Sequence, residues 1–406
     1  MVLPPSKDSD VFTVHQKDPL NAEPDADTLI DSGWKTQKKH GYLRNHGDVL
    51  HLDRKGYQLS IDIEDSLRPL LDPTANLAKN CSGGSIDLDT ILRCGKVNLA
   101  AALQCAGNRR NEMNDRKKVE GIMWRSGTIL NGEWQGVPLR SFLLELGFPA
   151  DFEARPQLAK AHVHFTSRQQ CEEADEYESS ILLRDAMDEG RLVLLADTMN
   201  GEPLPDEHGG PLRVVVPGFI GARSVKWLQH LKIRTEPSNN FYMTSDYKVL
   251  PPSVDKDQKS EWMAKIDPLQ QTGLQSCVAK VSQVGNDLHV QGYAYNGEGT
   301  PIAQVQVIVL PDSGEQTQES LVDASLEGSW TEATLEQEHK QAEVKIWSWT
   351  LFSAVLPIRS EWKGTDLAIL CRAQSRSGTE QEKITDWNIR GVENQGYGLL
   401  RKFKFK

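Results

Sequence analysis

The hydrophobic pattern of this chain changes near residue 265, and a chain that changes pattern there must fold as two bodies. Beyond that point come short runs, Leu288–Tyr293, Val305–Val309, Ile346–Leu351 and Leu367–Cys371, with turn residues between them. Such a series predicts a β-sandwich. Before it the signals are mixed. Tyr57–Ile63 and His162–Phe165 alternate as strands, Val214–Val216 is a short apolar run, and Ser141–Leu146 reads as a short helix stopped by Gly147. Pro251-Pro252 stiffens the exit from this half, and Asp255–Lys259 reads as linker. A length of 406 residues also predicts two or three domains. The expected fold class is α+β: an extended polar arm over 1–40, a mixed α/β domain over 41–255 and a sandwich over 265–406.

Charge and cysteine usage exclude several functions. A net charge of −11 argues against nucleic acid or an anionic membrane as partner, so an anionic ligand would need a local cationic pocket. Cysteines 81, 94, 105, 171, 277 and 371 form no CxxC pair and no dense spacing, which fits a reducing compartment better than a disulfide framework. There is no apolar run of membrane-spanning length. Met1–Asp10 carries neither an apolar signal core nor an Arg-rich presequence, and the end Lys402–Lys406 is not a peroxisomal tail. A cytoplasmic protein is expected.

Chemistry concentrates in a few stretches. Val97–Leu103 is apolar and leads to Cys105, followed by a Gly107-Asn108 turn and the pair Arg109-Arg110. A thiol beside fixed positive charge is expected as thiolate, a soft ligand for a metal that handles an anion. The plain alternative is a buried cysteine beside two solvated arginines. Tyr42–Gly47 (Tyr-Leu-Arg-Asn-His-Gly) has turn chemistry. Trp124 stands just before a turn. The loop Phe219–Trp227 gathers Arg223, Ser224 and Lys226 among small residues, a set suited to a phosphate, though its glycine spacing is not that of a Walker loop. His162 and His164 share one strand face without a third ligand nearby and are expected to be structural. The acidic run Glu172–Glu176 is expected as a solvated loop.

Leu103–Arg110, continued by Asn111-Glu112-Met113, resembles the molybdenum-ligating segment of the sulfite oxidase family. Asn21-Ala22-Glu23-Pro24, Tyr42–His46, Asn200–Gly218 and Trp387–Val392 resemble further family segments in the same order. The resemblance implies a molybdopterin-binding domain followed by an immunoglobulin-like dimerisation domain, hence a homodimer. It implies Mo-molybdopterin as cofactor, with Cys105 as the metal ligand. Tyr42, Leu43, Arg44, Asn45, His46, His208, Arg213, Ser224, Val225 and Lys226 would bind the cofactor. Arg44, Arg110 and Arg390 would hold sulfite, with Trp124 and Tyr247 shaping the pocket. The sequence departs from the family at Gln169, where many members carry an Asp that contacts the cofactor. Nitrate reductases share the cysteine segment, but usually have Asn where Tyr247 stands and Met where Arg390 stands. A non-catalytic dimeric module is the remaining alternative. No stretch reads as a haem or flavin site, so molecular oxygen or an external cytochrome is the expected electron acceptor.

Overall fold

A computed structural model of the protein describes residues 11–82, 84–336 and 345–404. The expectations for Met1–Asp10 and for Phe405-Lys406 lie outside the described residues.

Two five-stranded sheets build the first half. One runs in the order Glu202–Pro203, Leu194–Met199, Ile129–Pro138 and Val97–Gln104, with Arg213–Val215 also paired to Leu194–Met199. The other runs Ser85–Asp87, Gln58–Ile63, Leu228–Arg234, His162–Ser167 and Glu178–Leu182. Its pair Leu228–Arg234 and Gln58–Ile63 is parallel. Gln58–Ile63 alternates buried with half-buried residues, as its period-two pattern requires. Leu59, Ile61, Val163, Phe165, Leu231 and Ile233 pack on the helix Leu139–Glu145 through Leu139, Phe142 and Leu143. Gly147 closes that helix at φ +94°, a conformation glycine adopts at no steric cost.

The second half is a sandwich of two four-stranded sheets. Leu274–Val284, Asp287–Asn296, Thr350–Pro357 and Thr334–Glu336 form one. Thr331–Glu332, Ile302–Pro311, Leu367–Ser375 and Gly398–Phe403 form the other. Leu288, Val290, Val305, Val307, Phe352, Leu367 and Ile369 fill the space between them. A helix, Gln318–Leu326, covers the outer face of the second sheet, with Leu321 and Val322 against Ile308, Ala368 and Leu370.

Three sequence expectations change. The polar segment over residues 11–40 is no free arm. Phe12–Lys17 and Leu20–Pro24 form a hairpin whose Asn21, Ala22 and Glu23 are buried, and the helix Ala26–Asp31 inserts Leu29 beside Tyr293 and Trp349. Asp255–Lys259 is a turn opening the helix Lys259–Met263, and Val254 and Met263 pack with Met113 and Ile389. The run Ile346–Leu351 begins its strand only at Thr350, because Trp347 pairs instead with the first half: its carbonyl accepts from Ala102 N–H at 2.8 Å. Trp347 and Trp349 are 4 % and 1 % exposed within one chain, with Trp349 donating to Trp34 O at 2.9 Å.

Candidate active site

The strand Val97–Gln104 delivers Cys105 to the seam between the two halves. Thr128 O accepts from Cys105 N–H at 3.0 Å, and Gly107 N–H points at Cys105 Sγ from 3.4 Å. The next turn separates the two arginines that sequence reading treated as a pair. Arg109 adopts φ +62° and turns away from the pocket. Its buried guanidinium donates to both Glu112 carboxylate oxygens, at 2.8 and 2.7 Å, and to the carbonyls of Ser276, Gly396 and Tyr397. It staples the catalytic turn to the sandwich. Arg110 faces the other way, held by Gly391 O at 3.0 Å and Ile122 O at 2.8 Å.

Two cavities meet at Arg44, His46, Cys105 and Tyr247. The first is also lined by Tyr42, His208, Arg213, Ser224, Val225 and Lys226, and by Tyr177 and Trp227. The second carries Arg110, Trp124, Asp246 and Arg390, with Gln16 and Pro19 from the N-terminal hairpin. The proposed substrate residues therefore converge, including Arg390 from the loop between the sandwich strands Leu367–Ser375 and Gly398–Phe403. Leu43 is an exception among the cofactor candidates: its backbone exchanges hydrogen bonds with Ala22, and it lines neither cavity. Asn45 lies on the second cavity and accepts from Lys226 Nζ.

The first cavity is rich in donors. Arg213 reaches only carbonyls, at His208, Val214 and Ser224, and Lys226 reaches Asn45 Oδ1 and Glu207 O. Among the described residues neither cation has a carboxylate partner. Trp227 keeps a buried indole N–H without an acceptor among those residues. Burial, with Arg213 and Arg44 beside it, pushes the Lys226 ammonium well below its usual range, and burial brings Arg213 down to about 10. His208 falls to about 3 through burial and donates Nε2–H to Lys38 O at 3.0 Å, so it is a neutral donor-acceptor. A donor surplus of this kind fits a phosphate-bearing, acceptor-rich pterin. Arg223, counted with Lys226 from the sequence, does not take part. The turn Gly221–Arg223 rotates it into the core, where it donates to Leu269 O and Ser179 Oγ. Gln169 lines the cavity but donates both amide protons to the carbonyls of Gly47 and Asp48, so it holds the 45–48 loop.

The second cavity is electrostatically graded. Arg390 is paired with Asp246, and Glu120 lies 3.7 Å away. Arg44 instead has neutral acceptors, Asn21 Oδ1, Asn45 O and His46 Nδ1. Burial, then Arg44, Lys226 and Arg390, hold His46 well below its usual range. Neutral His46 accepts from Arg44 at Nδ1, so its Nε2–H faces Tyr247 Oη at 2.8 Å. The thiolate expectation for Cys105 needs correction: burial raises its pKa, and Arg110 and Arg44 recover only part of that rise. Deprotonation at this depth requires a bound cation, as metal ligation supplies. Glu172 and Glu173 are exposed, as a solvated run should be, yet they rim this cavity, with Tyr242 Oη donating to Glu173 at 2.8 Å.

Sequence reading missed Asp246, Tyr177, Trp227 and the hairpin residues Asn21 and Glu23. Glu23 is 1 % exposed and binds the N–H groups of Arg125 and Gly127, fixing the turn behind Trp124. His15 bonds Glu23 at 2.7 Å and sets its ring edge-on to Trp124, centroids 4.8 Å apart.

Residues 76–242 match the model of the oxidoreductase molybdopterin binding domain, and residues 272–399 match the Mo-co oxidoreductase dimerisation domain. The sulfite oxidase of Arabidopsis thaliana is 34 % identical over 397 residues, spanning 95 % of this chain and 92 % of that one. The mitochondrial sulfite oxidase of Rattus norvegicus is 33 % identical, over 93 % of this chain and 63 % of its own length. Among solved structures, the sulfane dehydrogenase SoxCD of Paracoccus pantotrophus shares the fold, with a TM-score of 0.70 over 100 % of this chain and 93 % of that one at 21 % identity. Family model, relatives and the cysteine-centred seam agree: this chain belongs to the sulfite oxidase family of molybdenum oxidoreductases.

Proposed function

We propose that the protein oxidises sulfite to sulfate at a Mo-molybdopterin centre, as a dimer joined through its second domain. The observation that carries the reading is the convergence of Arg44, Arg110 and Arg390 on a cavity that meets the donor-rich cavity at Cys105. Cys105 would hold the metal through Sγ. Arg213, Lys226, Ser224, Val225, His208, Tyr42 and Trp227 would hold the pterin and its phosphate. When bound, this cofactor supplies two-electron oxygen-atom transfer.

The chain's own residues do the rest. Guanidinium groups from three segments, Arg44, Arg110 and Arg390, favour a small dianion by charge-assisted hydrogen bonds and repel one another when it is absent. Asp246 pairs directly with Arg390 and acts on Arg44 and Arg110 only at a distance, so these two contribute more of the positive field. Trp124, 1 % exposed, walls the cavity and limits water. Tyr247 Oη, fixed by His46, presents a hydroxyl at the meeting point of the cavities. Keeping Arg390 and Tyr247 favours sulfite over nitrate, since a monoanion has less use for a further cation.

For the electrons, our reading is that molecular oxygen accepts them: sulfite, oxygen and water give sulfate and hydrogen peroxide. A basic cytochrome is the alternative, supported by the net charge of −11. The test is aerobic turnover of purified protein with sulfite and, separately, with nitrate and a reduced dye. Sulfate formed with matching peroxide supports the reading. Nitrate reduction without sulfite oxidation overturns it, and turnover that waits for added cytochrome overturns the oxygen assignment.

A further inference from the structure

We propose that Asn21, on the N-terminal hairpin, is a positioning residue for the substrate anion and acts through Arg44; the inference rests on the sulfite reading above. Asn21 is 0 % exposed. Its Oδ1 accepts from Arg44 Nη1 at 3.2 Å and from Asn45 N–H at 2.9 Å. The two protons on its Nδ2 are shared among Asn45 O at 3.1 Å, Pro19 O at 3.0 Å and Gln16 Oε1 at 3.2 Å. One carboxamide thus fixes the guanidinium of Arg44, the backbone that follows it, and the hairpin turn whose Gln16 and Pro19 line the substrate-side cavity.

The chemistry of the side chain matters as much as its place. Arg390 is held by the carboxylate of Asp246, which fixes its plane but offsets its charge. Arg44 is held at both Nη atoms by neutral acceptors and feels the Asp246 carboxylate only without a direct bond, so its orientation is set while more of its charge remains for an anion than at Arg390. Arg44 also stands where the two cavities meet, so a small rotation there alters how the anion lies toward Cys105. An aspartate at position 21 would accept the same bond but place a negative charge against Arg44. An alanine would leave Arg44 steered only by Asn45 O and His46.

Three variants test this: Asn21→Ala, Asn21→Asp and Arg44→Met, with the double variant Asn21→Ala/Arg44→Met. The readouts are sulfate affinity by calorimetry on molybdenum-loaded protein, and KM and kcat for sulfite per bound molybdenum. Asn21→Ala is expected to weaken sulfate binding and raise KM about tenfold, with kcat changed less. Asn21→Asp is expected to weaken sulfate binding at least as much. The double variant should bind sulfate no more weakly than Arg44→Met alone, because Asn21 acts through that side chain. Additive losses in the double variant would overturn the proposal, as would unchanged affinity and KM accompanied only by lost thermal stability or molybdenum content. If wild-type protein neither binds sulfate nor oxidises sulfite, the functional reading fails instead, and the two failures are separate.

Discussion

Replacing Gly107 by alanine tests how tightly the substrate cavity is built. A Cβ there would stand 2.7 Å from Arg110 Nη2, 2.9 Å from Arg110 Cζ and 2.8 Å from Trp124 Cδ1. Comfortable carbon contacts begin near 3.5 Å, so each neighbour must retreat by about 0.7 Å. Neither has slack. Arg110 is tethered to Gly391 O and Ile122 O, and Trp124 is enclosed between this turn and His15. Misplacing a substrate-orienting group by about 1 Å costs on the order of 100-fold, so kcat/KM for sulfite should fall by roughly 10- to 100-fold, or about 1.4–2.7 kcal/mol of transition-state stabilisation. Overpacking should also cost about 1–3 kcal/mol of stability. Molybdenum content should hold, because the Gly107 N–H that faces Cys105 Sγ is retained. The assay is steady-state sulfite oxidation per bound molybdenum, with a thermal melt on the same samples. A variant with kcat/KM within threefold of wild type and an unchanged melt would refute the claim that Arg110 and Trp124 are fixed against this turn.

Cys105→Ser should fold but turn over sulfite at no more than a few per cent of wild type, since a hydroxyl is a poor ligand for a soft centre; near-normal turnover would remove Cys105 as the metal ligand. Arg390→Gln removes the cation paired with Asp246, so KM for sulfite should rise about 10- to 100-fold, in line with roughly 1.5–3 kcal/mol for a charged hydrogen bond, and an unchanged KM contradicts this. Glu393 is buried with Oε1 lacking a partner among the described residues, and burial raises its carboxyl from 4.5 to about 7. The folded chain then keeps that proton between about pH 4.5 and 7 while the unfolded chain releases it, so stability falls as pH rises through this window, by about 3 kcal/mol in all. Melts of Glu393→Gln should lose that part of the decline, and an identical pH slope in both proteins refutes the assignment.

The resemblance supplied most of the candidate site, because a lone Arg, His, Trp or Tyr in a short loop carries little local signal; local chemistry alone pointed to two stretches. Cys105 follows an apolar strand, and Lys226 and Ser224 share a loop of small residues, so the residue types announced a ligand. The division of labour between Arg109 and Arg110 was not legible: a left-handed φ at Arg109 sends adjacent side chains to opposite sides, and arginine gives no composition cue for that conformation. Asp246 escaped notice because a carboxylate beside an anion site looks adverse until Arg390 is seen to need it. The hairpin was misread because Asn21 and Glu23 are polar yet buried, held by hydrogen bonds that local sequence does not display. The helix Gln318–Leu326 did carry a signal. Thr317 caps it by accepting from Ser320 N–H, and Leu321, Val322 and Ser325 fall on one face.

The most direct test is a single anaerobic turnover, which needs no knowledge of the electron acceptor. Purified protein with its molybdenum content measured is mixed with excess sulfite without oxygen, and sulfate is quantified. About one sulfate per molybdenum is expected, with none from Cys105→Ser or from metal-free protein. Molybdenum-loaded protein that forms no sulfate, or sulfate formed without molybdenum, would contradict it.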